Sequence, residues 1–178
     1  VALESRKMAS YLLSLNLPKK SKIGILSKNC AHWIMSDFAI MMAGHISVPL
    51  YPNLNSETLE KILTHSETKV LFVGKLDDYS SMKDGVSKDI QCITYPFYSQ
   101  DYPTWDKLVK DINPIKDDIV RDEKDLATII YTSGTTGDPK GVMHKFFNFS
   151  FASTNAVNAL KLNSESFFSY LPLSHIAE

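Results

Sequence analysis

The chain has 178 residues, of which 44% are hydrophobic, and its formal net charge is −1. These values fit one globular domain or part of a larger one, and the balanced charge argues against a nucleic-acid-binding protein. No apolar run reaches the ~18 residues that a membrane-spanning helix needs. The first residues are charged and helix-forming, which is unlike a signal peptide.

The first 75 residues alternate between helical and extended patterns. Apolar residues recur at helical spacing in residues 2–15, and two further helices are predicted to begin with Asn29 and Ser56 as N-caps. The second helix, which we expect Gly44 to end, carries the apolar residues Trp33, Ile34, Phe38, Met41 and Met42 towards a core. The predicted strands are residues 22–26, 46–51 and 69–73. This alternation predicts an α/β fold, a βαβ-rich and largely parallel sheet flanked by helices.

The pattern beyond residue 75 is less regular. Residues 75–89 are polar and typical of a surface segment, and the charged residues 112–125 resemble a connector between subdomains. A strand at 125–132 and a second hairpin arm at 141–145 flank a glycine-rich stretch. The other predicted elements are strands at 90–94 and 166–173 and helices at 104–112 and 146–160.

The glycine-rich stretch, YTSGTTGDPKGV at residues 131–142, predicts a phosphate-binding loop. Its glycines permit unusual backbone angles and close approach of a ligand, so that backbone N–H groups can form an anion nest. Hydroxyl groups add further donors, and Lys140 adds a mobile positive charge. An ordinary hairpin turn is the alternative, but a turn needs fewer small and hydroxyl residues. The residues concerned are Thr132, Ser133, Gly134, Thr135, Thr136, Gly137, Lys140 and Gly141.

A Walker A loop is a poor fit to this stretch. That motif requires a Gly-Lys-Ser/Thr sequence after a glycine and four further residues. Counting from Gly134, the required second glycine is replaced by Pro139, and Lys140 is followed by Gly141 rather than by a hydroxyl residue. A P-loop NTPase therefore stays a weak alternative, one that would release inorganic phosphate instead of pyrophosphate.

The same twelve residues resemble the signature phosphate loop of the adenylate-forming superfamily, which contains acyl- and aryl-CoA synthetases, luciferases and peptide-synthetase adenylation domains. Residues 29–73 also resemble that superfamily, so that the likeness covers nearly the whole chain. The final YLPLSHIAE, residues 170–178, is similar to long-chain fatty acid–CoA ligases in its His-Ile-Ala-Glu ending. The resemblance implies that residues 1–178 are part of an N-terminal AMP-binding domain whose C-terminal partner domain lies outside this chain.

The resemblance also implies a two-step reaction. A fatty acid carboxylate attacks the α-phosphate of ATP and gives an acyl-adenylate and pyrophosphate, and the thiol of coenzyme A then displaces AMP. Donors and cations at the phosphates would lower the first barrier, and Mg²⁺ is expected to bridge phosphate oxygens. The superfamily's ribose-binding aspartate, adenine pocket and C-terminal catalytic lysine are missing here, so we expect the isolated chain to be inactive.

Individual site residues follow from the same resemblance. Residues 132–137 match the part of the loop that wraps the β- and γ-phosphates, and Thr132 is also a candidate Mg²⁺ contact. Lys140 matches the lysine that meets the leaving phosphates, and His175 matches a histidine near the reacting carboxylate. Asp138 falls at a variable position without an assigned role. The remaining histidines are interpreted as packed or solvated side chains: His32, His45, His65 and His144.

Several alternatives stay open at this point. An aryl- or medium-chain acyl-CoA ligase would use the same chemistry, and a non-catalytic binding or scaffold module would keep the fold without the activity. Cys30 and Cys92, far apart and outside metal-ligand spacing, favour reduced thiols in the cytoplasm. A fatty substrate is compatible with peripheral membrane contact, although no basic amphipathic helix requires it. Acyl chain length and oligomeric state are not predicted.

Overall fold

Helices and strands alternate through the chain in a computed structural model that describes residues 1–98, 100–117, 119–133, 138–161 and 173–174. The helices are α1 (Ala2–Ser14), α2 (Ala31–Met42), α3 (Ser56–Ser66), α4 (Trp105–Val109) and α5 (Phe146–Leu160). The strands are β1 (Lys22–Leu26), β2 (Ile46–Leu50), β3 (Val70–Val73), β4 (Gln91–Thr94), β5 (Leu126–Ser133) and β6 (Pro139–Lys145).

The strands form one six-stranded sheet in the order β4-β3-β1-β2-β5-β6. All neighbours in this order are parallel except β5 and β6, which pair in antiparallel fashion. The predicted largely parallel α/β sheet and the predicted hairpin are both confirmed. Because parallel strands end at the same edge of a sheet, β5 delivers the glycine-rich stretch to the carboxyl edge, where α/β proteins bind ligands.

Helices cover both faces of the sheet. On one face α1, α2 and α4 bury a core with β1, β3 and β4 that includes Met8, Ile25 and Trp105. On the other face α3 buries Leu59, Ile62 and Leu63 against strand residues such as Leu71. Burial of each large apolar side chain contributes about 1.5–3 kcal/mol, so both layers stabilise the platform that carries the hairpin.

Two predicted helix caps are wrong by one residue. α3 begins after Asn55, whose side chain accepts a hydrogen bond from the N–H of Thr58, and Ser56 is the first helical residue. α2 begins after Cys30, whose side chain makes no capping bond. Gly44 follows α2 with a φ of +78°, as predicted for a glycine that ends a helix.

The apolar side chains of α2 do not all face the core. Trp33, Ala39 and Ile40 are buried, but Ile34 is 39% exposed and Phe38 is 46% exposed. With 3.6 residues per turn, positions 34 and 38 fall on the side of α2 that points away from the sheet. The prediction that both residues pack in the core is therefore wrong.

The predicted connector, residues 112–125, contains no helix or strand among its described residues. Its Arg121 donates hydrogen bonds of 2.9 Å to the carbonyl groups of His45 and Leu126, which tethers the connector to the starts of β2 and β5. The prediction that this segment divides two subdomains stays a prediction. The predicted strand at 166–173 lies outside the described residues apart from Leu173, which is in a turn.

Helix α5 matches the predicted range, and none of its residues is buried. Phe147 and Phe151 stack on its surface with ring centroids 5.7 Å apart. Across the described parts of the chain, no helix combines the length and apolarity needed to cross a membrane.

Candidate active site

The β5–β6 hairpin brings together the two ends of the predicted phosphate loop. Thr132 is the direct cross-strand partner of Lys140, and Ser133 is the partner of Pro139. Gly134, Thr135, Thr136 and Gly137, which connect these strands, lie outside the described residues. The structure therefore places Thr132, Ser133 and Lys140 together at the carboxyl edge of the sheet.

Thr132 and Lys140 share one face of the hairpin, because directly opposed residues of an antiparallel pair project to the same side. Both residues are exposed. This face offers a hydroxyl group and a primary ammonium group to a ligand, and none of the described residues forms an ion pair with Lys140. Such a combination suits a phosphate anion, which accepts hydrogen bonds and attracts positive charge.

The neighbouring pair, Tyr131 and Gly141, occupies the opposite face of the hairpin. A Cβ atom added to Gly141 would lie 2.9 Å from Cγ2 of Ile129 and 3.2 Å from Cζ of Tyr131. The Tyr131 ring thus packs across Gly141. The interpretation that Gly141 supplies an unusual backbone angle is wrong, because Gly141 is a strand residue whose φ is not positive; it is needed for close packing.

The hydroxyl group of Tyr131 reaches helix α3. It lies 2.7 Å from Nδ1 of His65, and the two rings meet edge to face with centroids 5.8 Å apart. Tyr131 is 4% exposed, and this burial raises the pKa of its hydroxyl group. The interpretation of His65 as only packed or solvated is therefore incomplete, since its ring nitrogen is the partner of a buried hydroxyl at the start of the candidate site.

The residue that directly precedes β6, Asp138, also contacts α3. Asp138 Oδ1 lies 3.4 Å from Nζ of Lys61, which is 3.0 Å from Oε1 of Glu57 one helical turn earlier. These carboxylates raise the pKa of Lys61, with Glu57 contributing most. A groove of about 630 Å³ between α3 and the hairpin is lined by Glu60, Lys61, Thr64, His65, Asp138 and Pro139. Asp138, to which the sequence assigned no role, thus contacts α3.

A second segment reaches the carboxyl edge at the start of α2. The side chain of Asn29 accepts a hydrogen bond of 2.9 Å from the N–H of Leu173, and Ser174 is 2% exposed. The beginning of the LSHIAE segment is therefore packed beside the end of β1. His175 itself lies outside the described residues, so its predicted position near a carboxylate stays a prediction.

The contacts of His65, Lys61 and Asn29 carry no local sequence signal. His65 and Tyr131 are 66 residues apart, and Asn29 and Leu173 are 144 residues apart. Only the Glu57–Lys61 spacing of four residues is recognisable as an ion pair on a helix. The sequence pattern predicted Thr132 and Lys140 and missed the residues that contact the hairpin from other segments.

The described residues contain no group of three or more His, Cys, Asp or Glu side chains that could hold a metal ion. Cys30 and Cys92 are free cysteines. Burial raises the pKa of the Cys92 thiol to about 11.

The parallel sheet with a donor-rich hairpin at its carboxyl edge is the arrangement of an α/β nucleotide-binding protein. The sequence profile of the AMP-binding enzymes matches residues 1–178. The chain belongs to this family of AMP-binding enzymes.

Curated relatives of the chain are named as acyl-CoA synthetases. Fatty acyl-CoA synthetase A of Dictyostelium discoideum is 34% identical over 99% of this chain and 29% of its own length. The long-chain-fatty-acid–CoA ligase heimdall of Drosophila melanogaster is 30% identical over 95% of this chain and 28% of its own length. The chain therefore spans less than a third of the relatives that it matches.

Solved structures share the fold. The o-succinylbenzoate CoA synthetase of Bacillus subtilis, solved with its acyl-adenylate intermediate, superposes with a TM-score of 0.79 at 27% identity and covers 97% of this chain and 33% of that one. A benzoate CoA ligase of Burkholderia xenovorans gives a TM-score of 0.71 at 19% identity over 86% of this chain and 30% of that one. The second likeness supports the fold alone.

Proposed function

We propose that the protein containing this chain is a long-chain fatty acid–CoA ligase, which converts ATP, a fatty acid and coenzyme A into acyl-CoA, AMP and pyrophosphate through an acyl-adenylate. The observation that carries the proposal is the opposed, exposed pair Thr132 and Lys140 at the carboxyl edge of the sheet. The long-chain substrate is supported by relatives that are named as long-chain enzymes, at 30–31% identity.

Lys140 and the hydroxyl residues act on the phosphates of ATP. In the first step the carboxylate oxygen bonds to the α-phosphorus, and the bond from this phosphorus to the pyrophosphate oxygen breaks. Negative charge grows on the departing pyrophosphate, and the Lys140 ammonium group offsets it while residues 132–137 donate hydrogen bonds. The coenzyme A sulfur then bonds to the acyl carbon, the bond from this carbon to the AMP oxygen breaks, and AMP leaves together with the thiol proton, which passes to solvent.

A Mg²⁺ ion would fit this site through Thr132. The ion prefers oxygen ligands and is commonly bound by one or two protein groups together with substrate phosphates. Thr132 supplies one exposed hydroxyl oxygen at the strand end, which agrees with a metal carried mainly by the nucleotide. When bound, the ion would neutralise phosphate charge.

His175 is proposed to lie near the reacting carboxylate, as a steric gate or a hydrogen-bonding group. Support comes from its neighbours, since Leu173 contacts Asn29 and Ser174 is buried at the same sheet edge that carries the hairpin. We also propose a cytoplasmic location with peripheral membrane contact, for which the free cysteines and the fatty substrate are the grounds.

An aryl-CoA ligase is the second candidate. The solved structures that share the fold include enzymes named for benzoate and o-succinylbenzoate. The phosphate chemistry would be unchanged, because both classes of acid react through a carboxylate.

The test is acid-dependent ATP–pyrophosphate exchange by the full-length gene product, measured with long-chain, medium-chain and aromatic acids. We expect the fastest exchange with long-chain acids. Exchange with aromatic acids alone would favour the second candidate, and no exchange with any acid would overturn adenylate formation.

A further inference from the structure

The two strand ends that flank residues 134–137 are both tied to one helix. Tyr131, immediately before Thr132, contacts His65, and Asp138, two residues before Lys140, contacts Lys61. His65 and Lys61 lie one turn apart on α3. We name these four residues the α3 clamp.

The two contacts of the α3 clamp differ in strength. Lys61 and Asp138 have side chains that are 49% and 76% exposed, at a distance of 3.4 Å, and exposed ion pairs contribute little in solvent. Tyr131 is 4% exposed, and its contact with the exposed His65 is half-buried, so that losing it costs more than losing an exposed ion pair. The His65–Tyr131 contact is therefore the dominant one.

The His65–Tyr131 contact also fixes the direction in which the ligand-facing groups point. Successive residues of a strand project to opposite faces, so holding Tyr131 against α3 turns Thr132 to the other face. The Tyr131 ring lies across Gly141 of β6, and Gly141 is adjacent to Lys140. One aromatic side chain thus orients the neighbours Thr132 and Lys140 on both strands.

We propose that His65 and Tyr131 are positioning residues, which hold the hairpin against α3 so that Thr132 and Lys140 meet the phosphates of ATP. This inference rests on the proposed adenylate-forming function and assigns to α3 a part in it. His65 and Tyr131 touch no substrate in this scheme, since both lie on the face opposite to Lys140.

Three variants of the full-length protein separate positioning from general stability. Tyr131→Phe removes only the hydroxyl and keeps the ring over Gly141. His65→Leu removes the partner, whereas His65→Asn keeps a hydrogen-bonding group near the position of Nδ1. The matched control is Tyr79→Phe, which deletes the hydroxyl of another buried tyrosine, 3.0 Å from the Tyr102 hydroxyl in the core on the same face of the sheet.

The measured quantities are kcat and KM for ATP and for fatty acid in the exchange reaction, together with Tm. Loss of one hydrogen bond should lower kcat/KM for ATP roughly fivefold to tenfold in Tyr131→Phe and in His65→Leu. We expect KM for the fatty acid to be unchanged, His65→Asn to recover most of the loss, and the double variant Tyr131→Phe/His65→Leu to lose no more than either single one. Tm should fall no further than in Tyr79→Phe.

Wild-type kinetics in Tyr131→Phe, or an equal kinetic loss in Tyr79→Phe, would overturn the positioning role while leaving the proposed function intact. The positioning role would also be overturned if kcat/KM decreased only in variants whose Tm falls below that of Tyr79→Phe. Absence of exchange in the wild-type protein with every acid would instead overturn the proposed function, and the positioning role with it.

Discussion

Thr132 and Lys140 are direct cross-strand partners, so that a hydroxyl and an ammonium group stand side by side at the mouth of the β5–β6 hairpin. Neither residue is needed for burial of the core, since both are exposed. Their contribution should therefore appear in nucleotide chemistry rather than in folding.

Replacing Lys140 with alanine should lower the rate of ATP–pyrophosphate exchange by about 10²–10³-fold, the usual loss for one group that stabilises transition-state charge. Exchange kinetics of the full-length protein measure the effect, and Tm should stay within about 1 °C because exposed substitutions cost little. Lys107→Ala, on the exposed surface of α4, is the control. Undiminished exchange in Lys140→Ala would exclude Lys140 from the reaction.

Gly141→Ala should destabilise the protein by about 1–3 kcal/mol, the range for overpacking. The new methyl group would press on Ile129, whose β-branched side chain is stiff, and on the Tyr131 ring. Denaturant unfolding measures the change. The neighbouring Val142→Ala, at a position that is 42% exposed, should cost much less, and equal losses in the two variants would contradict the packing role of Gly141.

Asn55→Ala should cost about 1 kcal/mol of unfolding free energy, because the N–H of Thr58 loses its capping partner. Ser56→Ala should be nearly neutral, since Ser56 is already helical. Thermal or denaturant unfolding of the two variants compares them directly. If Ser56→Ala lost more unfolding free energy than Asn55→Ala, Ser56 would be the cap of α3 instead.

Asp37 should make the protein more stable in mild acid than at neutral pH. Burial raises the pKa of its carboxyl group from 3.8 to about 6, and the nearby Ser47 hydroxyl partly offsets that change. The folded state therefore binds the proton more tightly than the unfolded state, and this group's contribution to stability decreases as pH rises from about 4 through about 6. The difference corresponds to up to about 3 kcal/mol.

Asp37→Asn should remove that pH dependence and raise Tm at pH 7 and above. Unfolding measured from pH 4 to pH 8 tests this, with Asp101→Asn, at an exposed position, as the control. Parallel pH curves for wild type and Asp37→Asn would show that the carboxyl group is not responsible.

The fold was predictable because its signals are local. Strand β1 at Lys22–Leu26 and helix α5 at Phe146–Leu160 match their predicted ranges, since apolar spacing decides both within a few residues. The α3 cap was ambiguous because Asn55 and Ser56 are both good N-cap residues. Which one caps depends on where the backbone turns, and no spacing of apolar residues fixes that point.

Thr132 and Lys140 were predictable as neighbours for the same reason, since they belong to one twelve-residue stretch, and their role at the phosphates stays a prediction. The residues that contact the hairpin from other segments were not predictable. Asn29 was expected to cap α2 and instead binds the N–H of Leu173. His65 is an exposed helix residue, and only the fold brings Tyr131 beside it. Such contacts depend on the packing of segments that are far apart in sequence, and a short sequence pattern does not predict them.

The order of strands in the sheet has a consequence for the folding pathway. Strands β1, β2 and β3 are complete by Val73, whereas β5 joins β2 through Thr128 and Ser47, which are 81 residues apart in sequence. Closing so long a segment carries an entropic cost that the earlier strands do not face. We expect the N-terminal strands to form first during synthesis on the ribosome, and the β5–β6 hairpin to assemble last, on an edge that is already in place.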